Sequence, residues 1–187
     1  TPYTILLPVF AKDVYGGGPM ALGALTSSVG FRALMGGLRL ASRRSVLGLG
    51  KWLAIGAIMM GVSLVVFSFS SSIYLGALCL ACCGFAQITQ MAGGNTLLQT
   101  IIDDDKRGRV MSFHAMAFMG MMPLGSLLGG SVASTAIGAT GTVAAGGVCC
   151  ILLGSWFATR LPRLREAVRP IYMQRGVLPA PADALTE

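Results

Sequence analysis

Long apolar segments separated by short polar stretches make up most of this sequence, and they predict membrane-spanning helices. A helix needs about 20 mostly apolar residues to cross a bilayer. Five segments approach or exceed this length, and a shorter apolar stretch precedes them. In chain order the segments are residues 3–11, 20–42, 52–69, 73–102, 110–137 and 142–161. We therefore expect an all-α, polytopic membrane protein built as a six-helix bundle with a truncated first helix.

The composition supports this class and excludes several others. Apolar residues make up 54% of the chain and charged residues 11%, whereas a soluble domain carries about 25% charged residues. The 26 glycines show no three-residue period, which excludes a collagen-like chain. The cysteines all lie within apolar segments, and their spacing fits neither a disulfide framework nor a zinc site. We expect no metal and no cofactor.

Basic residues concentrate on one side of the predicted membrane. Eleven of the 14 Lys and Arg residues fall in two loops and a tail on that side: Arg43, Arg44, Lys51, Lys106, Arg107, Arg109, Arg160, Arg163, Arg165, Arg169 and Arg175. By the positive-inside rule we expect this side, and the C-terminus, to be cytoplasmic. Residues 1–161 then form the transmembrane half, and residues 162–187 a largely disordered cytoplasmic tail. This topology explains the net charge of +7 without a nucleic-acid partner.

Polar side chains within the predicted spans are candidates for a substrate cavity, because such groups are costly in lipid. Arg32 is expected near the membrane midplane, where it contacts either an anionic substrate or a structural partner. In the fourth segment Gln87, Gln90, Asn95 and Gln99 spread over about half of the helix circumference. These side chains either line a cavity or form hydrogen bonds between helices. All seven acidic residues lie in loops or the tail.

The charged stretch between the fourth and fifth segments is a candidate gating loop. Asp103 and Asp105 are expected to close the fourth helix, while Arg107, Gly108 and Arg109 lead into the fifth. This order is the reverse of what helix dipoles favour, so contacts with other elements are expected to determine it. Paired Asp and Arg side chains could hold adjacent helix ends together until a conformational change breaks them. The alternative is an ordinary solvated loop.

The fifth segment contains small residues and a proline that are typical of close packing or a hinge. Pro123 removes a backbone donor and can kink a helix. Gly125 and Gly129 form a G-x-x-x-G pattern, and Gly120 lies on the other side of the proline. Small residues let membrane helices approach closely. We expect helix packing here, with a specific hinge as the alternative.

Several stretches resemble the C-terminal half of major facilitator superfamily transporters. The most specific are N-T-L-L-Q at residues 95–99, R-G-R-V-M-S at residues 107–112 and G-M-M-P-L-G-S-L-L-G-G at residues 120–130. The opening P-Y-T-I-L-L-P-V-F-A-K-D and the A-S-R-R at residues 41–44 are similar to the same family. The chain resembles in particular the branch that contains the enterobactin exporter and the macrolide-efflux-like transmembrane secretion effectors.

The resemblance implies that the six segments correspond to helices seven to twelve of a twelve-helix fold. Thr1 would then be an internal position of a longer chain, whose N-terminal six-helix half is missing here. Transport would require both halves to rock about a central site. The implied partners are the lipid bilayer, the missing half, a small-molecule substrate and protons.

The resemblance also implies roles for particular residues. Arg107, Gly108 and Arg109 would match the cytoplasmic loop between helices ten and eleven, and Arg43 and Arg44 a reduced copy of the family's gating loop. The implied function is proton-coupled export of small amphipathic compounds, such as drugs or siderophores, across the bacterial inner membrane. Such a protein is not an enzyme.

Two other interpretations remain open. A self-contained six-span protein could act as a homodimeric structural or channel component. An initiator Met just before Thr1 would favour it, whereas further hydrophobic segments upstream would favour the exporter. A membrane enzyme has less support, because the sequence contains no metal-binding cluster, no nucleophile and base pair and no phosphate-binding loop.

Overall fold

Helices occupy nearly all of the residues that the computed structural model describes, which are 7–11, 18–42, 48–135 and 137–174. Residues 7–11 are the described part of the first helix, α1. The other helices are α2 (Gly18–Ala41), α3 (Leu49–Phe69), α4 (Ile73–Ile101), α5 (Asp104–Ala133) and α6 (Gly138–Gln174). No strand occurs among these residues. The prediction of an all-α bundle is confirmed.

The helices from α3 to α6 are each long and apolar enough to cross a membrane. The second helix, α2, has 24 residues, includes Arg32 and Arg39, and is not among them. At 1.5 Å per residue, the 37 residues of α6 span about 55 Å, whereas the hydrocarbon core is about 30 Å thick. A large part of α6 therefore lies outside the hydrocarbon.

Short connections join consecutive helices. Ser70, Ser71 and Ser72 separate α3 from α4, and only Ile102 and Asp103 separate α4 from α5. Both Ile102 and Asp103 have extended backbone angles, which ends one helix and begins the next within two residues.

Two predicted boundaries differ from the structure by more than four residues. Residues 104–109, expected in a loop, form the first turns of α5. Their acidic residues favour a helix start because negative charge there interacts well with the helix dipole. The last helix does not end at Leu161 but continues through Pro162 and Pro170 to Gln174. The predicted boundary at residue 162 thus lies within a helix, and residues 175–187 of the predicted tail lie outside the described residues.

Four helices pack side by side in the order α2, α4, α3, α6. Glycines let their backbones approach closely. A Cβ atom at position 61 of α3 would lie 2.5 Å from the carbonyl oxygen of Gly147 in α6, and one at position 147 would lie 2.7 Å from the Gly61 carbonyl oxygen. At position 84 of α4, a Cβ would collide with the backbone carbonyl of Val29 in α2. Each crossing therefore requires a residue without a side chain.

The best-buried apolar cluster closes one end of the bundle. The rings of Phe10 in α1 and Phe67 in α3 lie with their centroids 4.7 Å apart. Around them lie the buried side chains Leu25, Leu80 and Cys83. The cluster joins α1 to α2, α3 and α4 at the end opposite to the one that carries most of the basic residues, which we call the basic end.

Candidate functional site

Acidic and basic side chains pair locally at the start of α5, at the basic end. Arg107 Nη2 lies 2.5 Å from Asp104 Oδ1, and Lys106 Nζ lies 4.0 Å from Asp103 Oδ2. Both pairs join residues three apart within the same first turns. The acids begin α5 rather than close α4, so their order agrees with the helix dipole. The expectation of a reversed charge order is wrong, and these two pairs do not connect neighbouring helix ends.

The other features of the candidate gating loop are an enclosed donor on Arg107 and several exposed residues. The Nε atom of Arg107 is enclosed and has no hydrogen-bond partner among the described residues. Asp105 and Arg109 are exposed, and a Cβ at Gly108 would meet nothing within 4 Å. Arg43 and Arg44 lie outside the described residues. The gating role stays a prediction.

The polar face of α4 divides into residues with and without a structural role. The side-chain amide of Gln90 donates a hydrogen bond to the backbone carbonyl of Leu53 in α3. Gln87 also interacts with another group. The Thr89 hydroxyl donates to the Phe85 carbonyl within the same helix. Gln90 thus acts as a contact between helices, which was one of the two alternatives for this face.

Asn95, Gln99 and Arg32 are the remaining cavity candidates. Asn95 is half-buried, and Gln99 lies exposed near the end of α4. Arg32 is exposed on α2 and makes no ion pair with any described residue. Its neighbour along the helix, Arg39, places its guanidinium carbon 5.7 Å from the ring centre of Trp52. These side chains do not converge on one closed cavity in the described part of the chain.

The glycine and proline candidates of α5 face mostly open space. A Cβ at Gly120 or Gly125 would have no neighbour within 4 Å. Pro123 is exposed, and Gly129 is the buried residue of this helix. The rest of α5 exposes large apolar side chains, among them Phe113, Met116, Met119, Met121, Leu127 and Leu128. The packing partner expected for this helix is not provided by the described residues.

Two features escaped the sequence reasoning. One is the crossing of α3 and α6 at Gly61 and Gly147, whose reciprocal contact no local pattern reveals. The other is the continuation of α6, which places Arg165 and Arg169 near the start of α3. Its signal was present in the helical spacing of Leu161, Leu164, Val168 and Tyr172, which places them on one face. The polar composition and the prolines of that stretch instead favoured a disordered tail.

The described residues contain no group of three or more His, Cys, Asp or Glu side chains arranged to hold a metal ion. All five cysteines are unpaired, and Cys79 and Cys83 are buried between helices. They pack as small apolar side chains.

The fold and the exposed apolar surface define a polytopic α-helical membrane protein. The sequence profile of the transmembrane secretion effector family, within the major facilitator superfamily, matches residues 3–181. The chain belongs to this family of membrane transporters. Neither the curated proteins nor the solved structures gave a match. The family suggested by the sequence motifs is therefore confirmed.

Proposed function

We propose that this chain forms the C-terminal six-helix half of a proton-coupled exporter of small amphipathic compounds. In this proposal its helices are equivalent to helices seven to twelve of the major facilitator fold. The observation that carries the proposal is the unpacked state of α5, whose only buried residue in the structure is Gly129. A second six-helix half facing α5 supplies the missing contacts.

The side chains of α5 suit a surface that receives varied apolar compounds. Five of the chain's 11 methionines lie in this helix, at positions 111, 116, 119, 121 and 122. Methionine is unbranched and polarizable, so it adapts to surfaces of different shape. We propose that part of this surface faces the transport pathway, with Asn95, Gln99 and Arg32 supplying polar contacts to the substrate.

Proton coupling is assigned to the other half. The described acidic residues Asp103, Asp104, Asp105 and Glu166 all lie near the basic end. None is in the middle of an apolar span, where a proton-carrying carboxylate would be needed. We therefore propose that this half contributes the substrate surface and the gate.

The basic end faces the cytoplasm in this proposal, and the membrane is the bacterial inner membrane. The concentration of Lys and Arg residues at that end supports the orientation. There Arg107 has an Nε donor without an acceptor among the described residues. A carboxylate or carbonyl of the opposing half would satisfy this donor in one state of the transport cycle and release it in the other.

The test is efflux of a fluorescent amphipathic dye from cells that express the complete transporter. The variant Arg107→Ala with Arg109→Ala should lower efflux at least about tenfold, while membrane insertion stays intact. A matched control is Arg160→Ala with Arg163→Ala, which removes two charges from the same end. Unchanged efflux in the first variant would refute the gate. Equal losses in both variants would show that only the total charge matters.

A second candidate function, a homodimeric structural or channel component, is favoured by the same open face of α5, which a second copy could cover. The intact mass in the native membrane separates the two. An antibody to residues 162–187 should detect a species about twice the 19.4 kDa of this chain if a second six-helix half is fused to it. A species of 19.4 kDa that crosslinks to itself would favour the homodimer.

A further inference from the structure

A cleft at the basic end combines cations with an apolar floor. The continuation of α6 lies beside the start of α3. Between them is an open cleft of about 730 Å³, lined in part by Lys51, Arg165 and Arg169. Glu166 also lines it, so the cleft carries an excess of two positive charges. Among the described residues none of these four side chains forms an ion pair with another. The cations are available to an anion from outside the chain.

Two smaller apolar cavities adjoin this cleft. One, of about 330 Å³, runs between Ala54 and Ile55 of α3 and Ala158 and Leu161 of α6. The other, of about 230 Å³, reaches the end of α4 and is lined by Leu97, Ile101, Phe157 and Leu164 among others. Arg165 contributes to all three spaces. Its apolar stem can cover the hydrocarbon lining while its guanidinium stays at the polar edge.

The tryptophans place this cleft at the boundary between hydrocarbon and headgroups. The chain has two, Trp52 and Trp156; Trp52 lies in the first turn of α3, and Trp156 lies in α6 one turn before Arg160. Tryptophan concentrates at the membrane interface. The Arg160 guanidinium lies 5.7 Å from the ring centre of Trp156, as expected for a cation that has reached the headgroup level. Arg165 follows Arg160 by about 7.5 Å along the helix.

We propose that this cleft binds an anionic phospholipid. The phosphate lies among Lys51, Arg165 and Arg169, and an acyl chain follows the groove between Ile55 and Leu161. A phosphate alone would use the cations but not the apolar groove that continues from them. Basic pockets between membrane helices are established sites for anionic headgroups. The volumes of the cleft and of the cavity beside Ile55, about 730 and 330 Å³, fall within the range of small-molecule sites. The bound lipid would fasten the end of α6 to α3.

The experiment is native mass spectrometry of the 187-residue chain in mild detergent. Phosphatidylglycerol and phosphatidylcholine with identical acyl chains are added in equal amounts, and glycerol 3-phosphate is tested as the free phosphate. We expect retention of phosphatidylglycerol and little retention of the other two. Equal retention of the two lipids would overturn the proposal. Binding of glycerol 3-phosphate as tight as that of phosphatidylglycerol would replace the lipid with a soluble phosphate compound.

Variants locate the site. Arg165→Gln with Arg169→Gln should weaken phosphatidylglycerol binding about 25-fold, at about fivefold for each charge near the headgroup. Arg160→Gln with Arg163→Gln removes the same charge from residues that do not line the cleft, and it should retain binding. Equal losses in both pairs would overturn the proposal in favour of diffuse attraction. If the first pair fails to elute as folded protein, Lys51→Gln on α3 should weaken binding about fivefold, and unchanged binding would overturn the site.

Discussion

The adjacent helices α4 and α5 are nearly equal in length, with 29 and 30 residues, yet they are packed in opposite ways. In the apolar membrane-length stretch of α4, 44% of the residues are buried, against 6% in α5. Both helices are apolar enough to cross a membrane. Apolarity therefore predicts that a helix enters the membrane, but it does not predict which neighbour the helix packs against.

The glycines account for much of this difference. On α4, Gly84 and Gly93 lie against α2 and α3, with Val29 and Leu53 as their nearest neighbours. On α5, a Cβ at Gly120 or Gly125 would meet nothing. The same residue type thus permits a close crossing in one helix and has no close neighbour among the described residues in the other. A partner half facing α5 would make the two helices alike.

The largest expected effect comes from adding a methyl group to α4 where it crosses α2. In Gly84→Ala the new Cβ would collide with the Val29 carbonyl, and the carbonyl carbon and Cα of Val29 would lie only 3.0 Å away. Backbone atoms cannot rotate aside, so we expect a destabilisation of about 3 kcal/mol, at the upper end for overpacking. Thermal loss of the monodisperse peak in size-exclusion chromatography measures this.

Gly125→Ala is the matched control on α5. Its Cβ points into open space, and alanine favours a helix by up to about 1 kcal/mol relative to glycine. The stability of the isolated chain should therefore stay the same or rise slightly. Equal losses in the two variants would mean that α5 is packed in solution as tightly as α4.

A smaller effect is expected where α6 leaves the membrane. Val168 is half-buried and lines the apolar cavity beside α3, whereas Ala167 is exposed. Placing a carboxylate at position 168 removes an apolar contact and costs about 1–3 kcal/mol for a poorly solvated polar group. Val168→Asp should therefore speed tryptic cleavage after Arg165 about fivefold or more. Ala167→Asp should change the rate little, and equal rates in the two variants would contradict the docking of this segment.

Much of the fold could be predicted because an apolar segment of membrane length is recognised from its own residues alone. The bounds of α4 agree with the predicted segment within one residue, and α3 starts three residues earlier than expected. The differences occur where a charged stretch, which predicts a loop, is helical in the structure. At the start of α5, Asp104 and Arg107 are three residues apart and stabilise the helix that they begin. Beyond Leu161, apolar residues at helical spacing continue the helix despite two prolines.

The candidate site could be predicted less well because its contacts are not local. The partner of Gln90 is the carbonyl of Leu53, 37 residues away, and no helical pattern in α4 specifies it. Sequence reasoning could place Gln87, Gln90, Asn95 and Gln99 on one broad face. It could not decide which of them a neighbouring helix uses, since that depends on how α3 is positioned.

A pair of substitutions on α4 tests which side chains of its polar face contact a neighbouring helix. Gln90→Ala removes the hydrogen bond to Leu53 and should destabilise the bundle by about 0.6–1 kcal/mol, the usual range for polar contacts between membrane helices. Gln99→Ala alters an exposed side chain and should leave stability unchanged. Both are measured by thermal unfolding in detergent. A larger loss of stability in Gln99→Ala than in Gln90→Ala would contradict this assignment, because the contact between helices would then involve Gln99.

The smallest expected effect lies at the start of α5, where charge rather than packing holds the structure. Asp104 is 83% exposed in its pair with Arg107, so solvent screens most of their attraction. Asp104→Asn also weakens the interaction with the helix dipole, and together these changes should cost no more than about 0.5 kcal/mol. A decrease in unfolding temperature of many degrees would show that Asp104 has a further partner and that α5 is held more firmly than its exposure indicates. If stability is unchanged but efflux by the complete transporter falls, then Asp104 acts through Arg107 during transport rather than through the stability of the fold.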